Sequence, residues 1–134
     1  MSGAHVPAHD PAVFELATKA FELARQGRTD TLAAYVDAGV PAGLRDDEGD
    51  TLVMLAAVHG HSGTVAALLQ RGADVDQVGA AGATPLAAAV RVGADDVVRV
   101  LLRYGADPQA GSPSAVAAAR VAGRTELLEL FGGV

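Results

Sequence analysis

The sequence predicts an all-α fold, a solenoid of about four stacked helix–turn–helix units joined by hairpin-like turns. Three observations carry this. A 33-residue step runs through the chain. Each step holds two short helical patterns with their own start and stop residues. The apolar share is dominated by alanine, leucine and valine, with only 4% aromatic residues. Gly27, Gly60 and Gly93 keep the step, as do Gly39, Gly72 and Gly105, and Thr18, Thr51 and Thr84. GDTLVMLAAVHGH at 49–61 aligns without a gap on GATPLAAAVRVGA at 82–94, and RGADVD at 71–76 on YGADP at 104–108. Self-similarity at a fixed period of this size marks a repeat architecture.

One unit reads directly in physical terms. Thr84 offers a side-chain oxygen to free N–H groups, and Pro85 is preset for a first helical turn. Leu86 to Val92 continue that helix, and Gly93 can take the positive φ of its end. A second helix runs from about Asp95 to Tyr104, with acids in its first turn and Arg103 in its last, as the helix dipole favours. Val97, Val98, Val100, Leu101 and Leu102 form its apolar face. Helices of about ten residues are unstable alone in water, so stability must come from neighbouring units.

Composition limits the rest. At 134 residues the chain is one domain, large enough for a core without metals or disulfides. It has no cysteine, which excludes disulfides, thiolate zinc sites and a cysteine nucleophile. No apolar run approaches the ~18 residues of a membrane helix. The start, MSGAHVPAHDP, is no secretory signal, and the expected location is the cytoplasm. A net charge of -6 argues against nucleic acid.

The repeated residues resemble the ankyrin repeat, whose pattern runs G-x-T-P-L-H-x-A-A-x-x-G-H and then an apolar helix ending L-L-x-x-G-A-D. Gly82, Thr84, Pro85, Leu86, Ala89, Gly93, Leu101, Leu102, Gly105, Ala106 and Asp107 match it in one unit. Gly49, Thr51, Ala56, Ala57, Gly60, His61, Leu68, Leu69, Gly72, Ala73 and Asp74 match it in another. Met54 and Ala87 stand where the family has its first-helix histidine, so the hydrogen bonds implied for that residue are missing. The resemblance covers roughly 12–134 and implies an ankyrin-repeat solenoid.

The expected organisation is a disordered 1–9 followed by a single ankyrin domain over 10–134. That domain divides into an N-terminal cap repeat (10–46), regular repeats (47–79 and 80–112) and a C-terminal cap repeat (113–134). Repeat one starts at Asp10-Pro11 and turns Glu15, Lys19 and Glu22 outward. Its second helix spans Thr29 to Ala38. Repeat four has helices at Ser114–Ala122 and Thr125–Phe131, with a loop three residues shorter. The whole reads as a complete capped array. Phe14, Phe21 and Phe131 are expected to plug the core ends, and Tyr35 to lie in the core.

No catalytic constellation is present, so the chain reads as no enzyme and needs no cofactor. His59 and His61, two residues apart around Gly60, do not share a helical face; a metal-dependent enzyme built on them is the weakest reading. His5 and His9 read as tail residues. Ser62, Ser112 and Ser114 read as caps. Gly79–Ala83 lacks the lysine of a phosphate loop.

The densest charge run is Asp46, Asp47, Glu48 and Asp50. The resemblance places it on a projecting finger, and implies a partner protein docking on fingers and first helices, at the concave face. Carried over position by position, the candidate residues are Arg45, Asp47, Glu48, Asp50, Ala80, Ala81 and Ala83 from the turns. From the first-helix ends come Arg25, Gln26, Val58, His59, Arg91 and Val92. The function expected is an adaptor or regulator binding one other protein, as a monomer, without nucleic acid or membrane. A self-associating structural protein is the alternative.

Overall fold

The computed structural model describes residues 11–132. Eight helices follow among them: α1 (Pro11–Gln26), α2 (Thr29–Asp37), α3 (Leu52–Val58), α4 (Ser62–Gln70), α5 (Pro85–Val92), α6 (Asp95–Arg103), α7 (Ala115–Ala122) and α8 (Thr125–Leu130). The odd-numbered helices stack on one another as one layer, and α2, α4 and α6 stack behind them. Each odd helix also packs on the even helix that follows it. The expectations for residues 1–9, and for Asp10 as a cap, lie outside the described residues.

The helix starts follow from capping chemistry. Thr51, Thr84 and Ser114 precede α3, α5 and α7 in extended backbone. Their oxygens accept from the N–H groups of Met54 (3.1 Å), Ala87 (3.2 Å) and Ala117 (3.1 Å), satisfying donors the helix leaves free. The missing first-helix histidine therefore leaves these caps intact. Thr18 shares the register but not the role. Because α1 begins at Pro11, Thr18 lies inside the helix and its hydroxyl donates to the Phe14 carbonyl at 2.9 Å. Two serines depart from expectation. Ser62 is the first residue of α4, behind His61, with no side-chain cap bond. Ser112 contributes its backbone instead, donating to the Gly82 carbonyl at 3.0 Å.

The core is a column of small and branched side chains. In α3 every residue from Leu52 to Ala57 is buried, and in α5 every residue from Pro85 to Val90. Only a helix apolar on all sides can be enclosed this way, and the alanines let its neighbours close in. The outer helix α6 keeps two faces, burying Val97, Val98 and Leu101 and exposing Asp96, Arg99 and Arg103. Leu32, Leu52, Leu68, Leu86 and Leu101 are fully buried, each stabilising by about 1.5–3 kcal/mol.

The aromatic residues divide. Phe21 is buried and Phe131 packs partly buried on the core, but Phe14 is 50% exposed and plugs nothing. Tyr35 is only partly buried. With Leu16, Ala38, Val40, Pro41 and Leu44 it lines an open apolar groove of about 450 Å³ beside α1 and α2.

Three long turns, 38–51, 71–84 and 104–114, separate the helix pairs. The first carries an antiparallel bridge between Arg45 and Thr51, and no strand forms among the described residues. Side chains and backbone lash successive units together. The Asp50 carboxylate accepts from Ala80 N–H, and the Asp76 carboxylate from Asp107 N–H, both at 3.0 Å. At the opposite edge, Arg124 bonds Asp95 at 2.9 Å and Glu126 at 2.6 Å. The hydrogen bond to Asp95, seconded by Glu126, raises the Arg124 pKa. The Arg124 guanidinium in turn lowers Glu126 from its usual range.

Candidate functional site

The acidic run occupies the first long turn, where its four carboxylates do different work. One oxygen of Asp46 accepts from the N–H groups of Glu48 (3.0 Å) and Asp50 (2.9 Å), the local bonding by which aspartate builds turns. The other oxygen lies 3.7 Å from the Arg25 guanidinium. Asp50 is half-buried and bonded to the next turn through Ala80. Asp47 and Glu48 remain exposed. Oxygens of Asp46, Glu48 and Asp50 converge within 4.8 Å, but backbone N–H groups and Arg25 already neutralise part of that charge. Arg45, half-buried, donates to the Gly49 carbonyl and braces the same turn.

The second long turn is bland. Ala80 and Ala81 are exposed, whereas Ala83 is 4% exposed. Ala83 therefore offers a partner almost no surface. The residue before a capping threonine points into the stack here, and its carbonyl accepts from Gly79 N–H at 3.0 Å. Gly79 is itself pinned, because a Cβ there would stand 2.6 Å from the Asp50 carboxylate. Asp50 also ties the turns together, its carboxylate accepting from Ala80 N–H across them.

The first-helix ends form a second row. Arg25, Gln26, His59, Arg91 and Val92 are exposed, and Val58 is half-buried. Arg25 links the rows, since its backbone ends α1 while its guanidinium reaches Asp46 in the turn. His59 bonds the Leu55 carbonyl through Nδ1 at 2.9 Å. His61 precedes α4, and its Nε2 bonds the Arg25 carbonyl at 2.8 Å. The two imidazoles are nearly parallel, with centroids 6.3 Å apart. His61 thus serves the joint between repeats.

Sequence reasoning placed Arg120 on the solvated outer face of the last repeat and did not single out Val121. Val121 is 91% exposed and Arg120 is exposed too. The step of 30 that maps Gly93 on Gly123 also maps Arg91 on Val121. Reading the last repeat only as a cap hid that signal.

The comparisons with known proteins agree with this architecture. The family model for ankyrin repeats (three copies) matches residues 20–112. An ankyrin repeat protein of Pseudomonas aeruginosa is 42% identical over 59 residues, covering 44% of this chain and 34% of that protein. An ankyrin repeat-containing protein of Treponema pallidum is 36% identical over 102 residues, covering 75% of this chain and 34% of that one. Serine/threonine-protein kinase 12 of Arabidopsis thaliana is 34% identical over 84 residues, covering 63% of this chain and 18% of the kinase. The chain thus spans about a third or less of the length of these relatives. No helix among the described residues is long and apolar enough to cross a membrane. With the helix-pair stack, the capping threonines and a family match over most of its length, the chain belongs to the ankyrin-repeat family.

Proposed function

We propose that this protein is a non-catalytic adaptor or regulator in the cytoplasm that binds another protein across its long turns and first-helix ends. Ankyrin repeats are generally protein-interaction modules. The observation that carries the reading here is the division of labour in the first long turn. Asp46 and Asp50 spend their carboxylates on the turn and its neighbour, while Asp47 and Glu48 stand exposed on the rigid support so formed. Charges fixed in position steer a partner better than charges on a loose loop. The smooth Ala80 and Ala81 alongside leave room for a partner's backbone. The contact set is Arg25, Gln26, Asp47, Glu48, Val58, His59, Ala80, Ala81, Arg91 and Val92, with Arg45 and Asp50 as its supports.

Reversing Asp47 and Glu48 to lysine together is expected to weaken capture of a native partner by at least about tenfold, with helix content and melting temperature unchanged. Binding assays on the double variant beside circular dichroism check this. Undiminished binding by a folded double variant would remove the turn from the site.

The open groove beside α1 and α2 favours a second reading, end-on self-association. Leu16 is 47% exposed at its edge. Sedimentation velocity at rising concentration should then show a dimer that Leu16→Glu abolishes. A monomer throughout would remove that reading.

A further inference from the structure

We propose that the open groove beside α1 and α2 is the seat of the chain's own first residues, with Ala4, Val6 and Ala8 turned into it. The reading of the long turns and first-helix ends does not depend on this, since none of the contact residues named above lines the groove.

The groove is built from features particular to the first unit. Tyr35 keeps the 33-residue step with Leu68 and Leu101. Those leucines are 1% and 0% exposed, whereas Tyr35 is only partly buried. The inner units are sealed at this place and the first is open. Its lining also differs in kind. Leu16 stands in register with Gly49 and Gly82, Val40 with Ala73 and Ala106, and Leu44 with Gln77 and Ala110. Each is larger or more apolar than its counterparts, and Leu16 is left 47% exposed at the edge. An end unit that only had to face water would carry polar residues there. These side chains instead fit an apolar cover.

Chain length and chemistry choose the cover. Ten residues, MSGAHVPAHD, precede Pro11, where α1 begins. Leu16 lies five residues into α1, about 7.5 Å along the helix axis. Val6 lies five residues before Pro11, and extended chain covers about 3.3 Å per residue, so its reach of about 16 Å is twice that axial distance. Asp10 precedes a proline and is steered away from helical backbone, so the chain leaves the line of α1 where it has to turn back. In extended backbone alternate side chains face the same way. Ala4, Val6 and Ala8 then share one side, and His5, Pro7 and His9 the other. No charged side chain lines the groove. The apolar side of the segment enters it without stranding a charge, while both imidazoles stay in water. Tethering favours this segment over a free partner, at an effective concentration of about millimolar. Seated so, it closes the groove to a second copy.

Backbone relaxation and nuclear Overhauser contacts on the full, isotope-labelled chain test this. Ala4, His5, Val6 and Ala8 should show order parameters of about 0.8, close to rigid backbone. The Val6 methyl groups should show contacts to the Tyr35 ring. Leu16→Glu, at the groove edge, should drop those order parameters below about 0.6 and abolish the contacts. Val6→Asp should do the same from the other side, and covers the case in which Leu16→Glu disturbs α1. An anilinonaphthalene dye, which reports exposed apolar surface, should brighten with Val6→Asp and stay dim with the unaltered chain. Reversal of Asp47 and Glu48 should leave the segment ordered. Order parameters below about 0.6 in the unaltered chain would overturn the proposal, as would the absence of any contact between Val6 and Tyr35. Contacts to Tyr35 arising only between differently labelled copies would give the groove to a second copy and overturn it too. If the segment proves loose while the Asp47 and Glu48 reversal still releases a native partner, this proposal falls and the wider interaction reading stands.

Discussion

Leu86→Ala is expected to lower the unfolding free energy by about 3 kcal/mol, within the about 2–5 kcal/mol range of buried leucine truncations. Leu86 is fully buried in α5, a helix that packs on α3, α6 and α7. The units on either side are also lashed to this one, by Asp50 to Ala80 and by Arg124 to Asp95. Collapse around the missing atoms is therefore resisted on several sides, and most of the cavity should persist. In a stacked array the loss also falls on the interfaces of the repeat with both neighbours. Urea unfolding followed by circular dichroism reads the effect. With a slope of about 2 kcal/mol/M, the midpoint should fall by about 1.5 M. A fall under about 0.5 M would mean that α5 closes the gap, against the enclosed packing described above.

Gly27→Ala should cost about 2–3 kcal/mol, for two separable reasons. Gly27 has φ +71°, a left-handed conformation that costs a residue with a Cβ about 1–2 kcal/mol. The added Cβ would also stand 2.5 Å from His61 Nδ1. The imidazole must then swing away and forfeit its bond to the Arg25 carbonyl, worth about 1 kcal/mol. Gly93 separates the two terms. It occupies the same place one repeat pair later, with φ +78° and no atom within 4 Å of an added Cβ. Gly93→Ala should therefore show the conformational cost alone. Equal losses at both positions, measured by thermal unfolding, would show that the His61 ring is not wedged at the joint.

The fold was legible because its rules are local and repeated. Thr84 as a cap, Gly93 as a left-handed stop and Val97, Val98 and Leu101 as a buried face each follow from the residue and its neighbours. The family match over 20–112 confirms what the 33-residue step predicted. Thr18 keeps the register without the role, because the first helix starts at Pro11 and encloses it. Phe14 misled because an aromatic near the end of an array can equally face solvent. The site was less legible. Asp47 and Asp50 are chemically alike and three residues apart, yet one is free and the other ties two turns together. That difference depends on where Ala80 lies, thirty residues away in the chain. Ala83 looked like Ala80 and Ala81, but its burial is decided by how one unit seats against the next.

The buried alanines have a consequence for the partner. Ala56, Ala57, Ala87, Ala88 and Ala89 lie at the contacts between stacked helices, all at 2% exposure or less. Methyl groups thus set the pitch at which Val58, Arg91 and Val121 follow one another across the array. That pitch is a ruler no surface residue can adjust. Widening it by one buried methylene would throw every later mark out of step with a bound chain, so recognition can be lost through residues the partner never meets.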